Sequence, residues 1–121
     1  MPLSPLIAIV DDDPDVRASL DSLMRSAGLD ARCFDGAREL LDARDAATVT
    51  CVVTDLHMPD MTGLELQNEL TRRGWIQPVI FMTAFPTDAT RKQAFAAGAA
   101  AFLTKPIDPD ALLDAIEAAT N

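Results

Sequence analysis

Four short apolar runs in this chain each end on a residue that phosphate chemistry can use. Ile7–Val10 leads into Asp11-Asp12-Asp13, Cys51–Thr54 into Asp55, Val79–Met82 into Thr83, and Ala101–Thr104 into Lys105-Pro106. Asp55 is the central candidate, because a carboxylate with an ordinary pKa of ~3.9 is ionised at neutral pH and can act as a nucleophile. Asp11 and Asp12 beside it would repel it unless a cation offsets the charge. Mg²⁺ (or Mn²⁺) is a hard cation suited to that task, commonly held by one or two carboxylates plus phosphate oxygens. A transferring phosphoryl group spreads charge over its equatorial oxygens, and the Thr83 hydroxyl and Lys105 ammonium can meet them. Taken singly, each residue has a plainer reading: Asp13 as a helix cap, Thr83 as a turn residue, Lys105 as a solvated charge.

The elements between these residues must bring them together. Short β-branched runs alternate with helical patterns, as in a parallel sheet, whose ligands bind beyond the carboxyl ends of the strands. A first strand is predicted over Leu6–Val10, then a helix capped by Asp13 with Pro14 at its first position, burying Val16, Leu20, Leu23, Met24 and Ala27 and ending at Gly28. A second strand lies near Ala31–Phe34 and a short helix runs through Ala37, Leu40 and Leu41. Polar residues then lead into a third strand at Thr50–Thr54. Thr62-Gly63-Leu64-Glu65 is a capping-box start for a third helix that buries Leu64 and Leu70 and closes at Gly74. A fourth strand covers Pro78–Met82, Thr87 caps a helix to about Ala97, and a fifth strand spans Ala101–Leu103. Asp108-Pro109 opens the last helix, with Leu112, Leu113 and Ile116 inward. The expectation is an α/β (βα)5 chain, a doubly wound parallel sheet of five strands with helices on both faces.

Composition sets bounds. At 121 residues the chain reads as a single domain, 1–121, and 49% hydrophobic with 24% charged residues is ordinary for a globular fold. No apolar stretch approaches a membrane span, and Met1–Pro5 lacks a basic leader pattern, so a cytoplasmic location is expected. A net charge of −9 argues against nucleic-acid binding by this domain. Cys33 and Cys51 fall within predicted strands and in no metal-ligand spacing, and read as small buried residues of a reducing compartment.

The ordered set Asp11-Asp12, Asp55-Leu56-His57-Met58-Pro59-Asp60-Met61-Thr62-Gly63, Thr83 and Lys105-Pro106 resembles the receiver domain of two-component response regulators, over essentially the entire chain. The pattern around Asp55 is most similar to receivers joined to helix-turn-helix transcription regulators. The resemblance implies a flavodoxin-like sheet of order 2-1-3-4-5. It makes Asp55 the acceptor of a phosphoryl group from a sensor histidine kinase. Mg²⁺ would be held by Asp12, Asp55 and the backbone carbonyl of His57, with Asp11 acting indirectly. Lys105 would pair with phosphoryl oxygens, and its bond to Pro106 would be cis. Thr83 and Phe102 would form the switch, altering the surface of the fourth helix, fifth strand and fifth helix for a partner or a second copy. A static core aromatic is the plainer reading of Phe102. Arg91 and Lys92 could face Asp114 or Glu117 across such a dimer, although solvated helix faces would look the same. The chain would be a phosphoacceptor assisting its own phosphorylation and dephosphorylation, not a turnover enzyme.

Two other classes stay open at this point. A constitutive pseudo-receiver would use the fold for interaction alone, but generally lacks one of the acids or the Lys. A phosphatase of the haloacid dehalogenase type also uses an Asp after a strand, but needs a second acid two positions on, where this chain has His57. Three details are distinctive. His57 is the single histidine and reads as a rim residue. Phe85 and Pro86 make the next loop bulky and stiff, so His57 and Phe85 are expected to shield an acyl phosphate from in-line water. Trp75 reads as a partly exposed packing residue.

Overall fold

The computed structural model describes residues 5–44 and 48–120. Met1–Ser4, residues 45–47 of the polar connection before the third strand, and Asn121 lie outside the described residues. The elements alternate throughout: β1 (Leu6–Val10), α1 (Pro14–Ser26), β2 (Asp30–Phe34), α2 (Ala37–Asp42), β3 (Cys51–Asp55), α3 (Gly63–Arg72), β4 (Val79–Thr83), α4 (Asp88–Ala96), β5 (Ala101–Thr104) and α5 (Pro109–Thr120). All pairings are parallel and the order is β2-β1-β3-β4-β5, the flavodoxin-like arrangement.

Alternation along the strands divides the core into two layers. Ala8, Val10, Val52, Val79 and Phe81 face one side and meet Leu40 of α2, Leu66 and Leu70 of α3, and Ala94 of α4. Ile7, Ile9, Val53, Ile80 and Met82 face the other and meet Leu20 and Met24 of α1 and Leu112 and Ile116 of α5. The central strands β3 and β4 are buried at every position, as a strand covered on both faces requires. Cys51 is one of these residues, and burial pushes its thiol up to about 12, so it behaves as an apolar side chain. Cys33, on the edge strand β2, is only half-buried.

Helix starts follow local chemistry. Asp13 accepts from the Asp15 amide with Pro14 at the first position, and Thr62 with Glu65 forms a complete capping box. Two details differ from the periodicity. Ala27 is exposed in the turn after α1, and the buried side of α3 is Leu66, Gln67 and Leu70, with Leu64 only half-buried. The cause is the start of α3: Gly63 is its first residue and packs on the sheet, which turns Leu64 toward the rim.

Candidate functional site

The candidate residues stand at the carboxyl ends of four adjacent strands, β1, β3, β4 and β5, and backbone bonds hold them there. The amide of Asp11 donates to the Phe34 carbonyl at 3.2 Å, that of Leu56 to Met82 at 2.8 Å, and that of Lys105 to Thr83 at 2.8 Å. The sheet ladder thus continues one residue past β1, β3 and β5 and places side chains before any of them interacts. Gly63 fixes the loop behind Asp55. A Cβ there would lie 2.6 Å from the Asp55 carbonyl oxygen and 3.1 Å from Leu56 Cα, so only glycine lets α3 begin this close to β3. The Lys105–Pro106 bond is cis.

Asp11, Asp12 and Asp55 can each present a carboxylate oxygen such that all three lie within 4.8 Å of one another. Their burial differs: Asp11 is fully enclosed, Asp55 is buried at the mouth and Asp12 is exposed. Asp11 has both oxygens engaged, one accepting from the Asp13 amide at 2.9 Å and one from Lys105 Nζ at 2.7 Å. Arg17, unremarked in the sequence, donates to the Asp11 carbonyl at 2.8 Å and closes the α1 side. Lys105 Nζ also lies 3.4 Å from an Asp55 oxygen, while the His57 amide donates to the other at 3.3 Å.

Burial, and then the Asp11 charge, raise the pKa of Asp55, with Lys105 and the His57 amide pulling the other way. For Lys105, burial disfavours the ammonium, but the hydrogen bond and charge of Asp11, helped by Asp55, outweigh it and hold the pKa above the usual value. An accumulation of negative charge that one ammonium does not neutralise, presented by hard oxygen donors on one rim, fits a divalent cation such as Mg²⁺. Asp12 is the exposed carboxylate of the three and Asp55 sits at the mouth, whereas both oxygens of the enclosed Asp11 are taken by Lys105 and the Asp13 amide.

Of the remaining predicted residues, His57 and Phe85 line this pocket, while Thr83 and Phe102 are not part of its wall. Its cavity of about 270 Å³ is lined by Asp11, Asp12, Asp55, His57, Phe85 and Lys105, among others. The rings of His57 and Phe85 meet edge to face with centroids 6.2 Å apart. Thr83 is fully buried and its Oγ1 accepts from the Phe85 amide at 3.0 Å, so the hydroxyl is tied to the loop entering α4. Phe102 is 9% exposed and packs with the α3–α4 layer of the core, and the Arg91 guanidinium lies 6.0 Å from its ring and 5.2 Å from that of Phe95. Arg17 had no sequence signal that separates it from any helical arginine. Only the return of α1 over the Asp11 carbonyl identifies it.

Comparison with known proteins matches this arrangement. A family model described as response regulator receiver domain matches residues 7–117. The transcriptional regulatory protein TdiR of Thauera aromatica is 42% identical over 113 residues, covering 93% of this chain and 50% of the relative. The transcriptional regulatory protein FixJ of Azorhizobium caulinodans is 41% identical over 118 residues, covering 98% of this chain and 56% of the relative. Among solved structures, the response regulator StyR superposes with a TM-score of 0.86 at 41% identity, over 98% of this chain and 60% of that one. FixJ-N gives 0.88 at 32% identity, over 98% and 95%. The chain spans about half the length of the curated relatives it matches.

Proposed function

Because the chain belongs to the response regulator receiver domain family of two-component systems, we propose that it is a phosphorylation-controlled switch whose phosphoacceptor is Asp55. The observation that carries this reading is the convergence of the Asp11, Asp12 and Asp55 carboxylates within 4.8 Å, with Lys105 Nζ 3.4 Å from Asp55. An Asp55 oxygen attacks the phosphorus of a phosphohistidine on a sensor kinase. The new P–O bond forms as the P–N bond breaks, and the departing imidazole takes a proton from solvent. Mg²⁺, when bound by Asp12, Asp55 and the His57 carbonyl, supplies charge neutralisation for the phosphoryl oxygens. Asp11 keeps Lys105 ionised and aimed, and Lys105 then shares its remaining N–H groups with the phosphoryl group. The same machinery assists hydrolysis of the product, so the domain is a phosphoacceptor that acts on itself.

Docking of the donor is supported by an apolar cleft of about 340 Å³ beside Lys105, lined by Val16, Leu20, Leu23, Pro106 and Ile107 among others. Output runs through Thr83. Once phosphoryl oxygens stand at Asp55, its hydroxyl has an alternative to the Phe85 amide, and Phe102 repacks beneath Arg91. The α4–β5–α5 surface then changes and binds a partner, an attached output domain or a second copy, with Arg91 and Lys92 opposite Asp114 and Glu117. Among the described residues no helix is long and apolar enough to cross a membrane. With a net charge of −9, this supports a cytoplasmic domain that controls transcription through an output module without touching DNA itself.

The test is intact mass after incubation with acetyl phosphate, with and without Mg²⁺, on the parent and on Asp55→Asn. A Mg²⁺-dependent phosphoryl adduct on the parent alone is expected. No adduct and no metal binding would instead make the chain a constitutive interaction module.

A further inference from the structure

The two ends of α4 are held in different ways. Ala94 is the buried residue of this helix, so packing alone fixes it weakly. At its C-terminal end, the carbonyl of the capping residue Ala97 accepts from Nε2 of Gln67 at 3.1 Å. Gln67 belongs to α3 and is buried, and its position on the inner side of that helix is otherwise taken by leucines. Two residues further on, the Ala99 amide returns to Ala94 at 3.0 Å and the Ala100 amide bonds Val79 of β4 at 2.8 Å. Gly98, at φ 98°, makes the turn between them, and Gln67 Nε2 is the neighbour nearest to where its Cβ would stand, at 3.5 Å. The C-terminal end is therefore tied to both α3 and β4.

The N-terminal end is closed on itself. Thr87 and Thr90 cap one another in a reciprocal box, with Thr87 exposed and Thr90 half-buried. Its polar link back to the sheet is the Phe85 amide resting on the Thr83 hydroxyl. We propose that Gln67 is the pivot of α4: a positioning residue that holds the C-terminal end still, so that a change at Thr83 swings the N-terminal end. A buried amide that loses Ala97 has no solvent to turn to, which makes this bond the persistent one of the two ends. The helix is 9 residues long. At 1.5 Å per residue it is a lever of about 13 Å, on which a rotation of roughly 10° moves the far end by about 2 Å. That displacement would reach Arg91 and the ring of Phe102 and leave the α3–α4 seam in place. The pivot itself stands on geometry; its use as an output lever rests on the proposed phosphorylation of Asp55.

Amide hydrogen exchange of the intact chain tests it, with the parent compared to Gln67→Met, which keeps the volume and removes the N–H donor. In the parent, amides 97–100 are expected to exchange about ten-fold more slowly than amides 90–93. In Gln67→Met, exchange at 97–100 rises about ten-fold while β1 and β3 are unchanged. With acetyl phosphate and Mg²⁺, the parent changes only over 85–93, and the variant changes along all of α4. Uniform exchange along α4 in the parent, an unchanged 97–100 segment in Gln67→Met, or an even rise across the whole sheet would each overturn the pivot. Absence of a phosphoryl adduct would count against the proposed function and its lever, while the first two comparisons would still decide the pivot.

Discussion

Lys105 Nζ lies closer to Asp11, at 2.7 Å, than to Asp55, at 3.4 Å. The ammonium is therefore stored on a carboxylate that is itself fully buried, with its remaining hydrogens available on the Asp55 side. Lys105→Met should be destabilising by about 3 kcal/mol, because it leaves the Asp11 charge enclosed with only the Asp13 amide and no opposite charge. Asp11→Asn in the same chain should restore much of the loss. Denaturant melts of the two single variants and the double variant would give that coupling, and additive losses would contradict it.

Metal addition should stabilise the fold through Asp12 and Asp55. At Mg²⁺ one hundred times its Kd, the gain is about 2.7 kcal/mol, reversed by a chelator. Asp12→Ala should lose this gain, yet match the parent within about 0.5 kcal/mol without metal, since its side chain is exposed. Thermal melts with and without Mg²⁺ check both statements.

The raised pKa of Asp55 has a defined sign for stability. The folded chain takes up this proton more readily than the unfolded one. The associated stability is thus fully present below the unfolded pKa and lost as pH rises through the higher folded value. Ionised Asp55 weighs against the fold at neutral pH, and Asp55→Asn should melt higher than the parent there in chelator. That advantage should shrink as pH is lowered through the carboxylate range. A constant difference across pH would contradict the assignment.

Gly63→Ala sets helix propensity against packing. Alanine gains up to ~1 kcal/mol over glycine within a helix, but here the added methyl meets backbone, at 2.6 Å from the Asp55 carbonyl. Overpacking against backbone should win, with a net loss of about 1–3 kcal/mol. The displaced Asp55 should also accept phosphate more slowly from acetyl phosphate, which intact mass against time would show.

His57 and Phe85 hold their rings edge to face across the pocket mouth, with Phe85 73% exposed. An aromatic left so open contributes little to stability, so His57→Ala with Phe85→Ala should leave the melting temperature near that of the parent. The acyl phosphate should hydrolyse about ten-fold faster, as in-line water gains access. An unchanged lifetime would show that the two rings do not shield the bond.

Strand positions and the residues following them were legible because a sheet buried on both faces leaves uninterrupted apolar runs, and polar side chains can appear only where such a run stops. Asp55, Thr83 and Lys105 were therefore visible as strand ends. Gln67 was not, because a glutamine between leucines in a helix looks like any solvent-facing position until α4 is seen to end above it. The pairing of Asp11 with Lys105 was equally hidden. Sequence suggests that both approach one pocket, but the preference for Asp11 arises from its complete enclosure and its bond from Asp13. Arg17 escaped notice for the same reason: its partner is a carbonyl, which has no side-chain signature.

The Asp11–Lys105 bond joins positions 94 residues apart. That separation is bridged through the sheet, where β1 pairs with β3, β3 with β4 and β4 with β5, so Lys105 reaches Asp11 only when β5 is docked. A chain in which β1 and β3 have paired but β5 has not would carry its acids without their ammonium. In the proposed reading, such a form would lack the cation that faces the phosphoryl group. The pocket's cation thus arrives with the last strand in the chain: the acids of β1 and β3 meet their ammonium only once β5 lies beside β4.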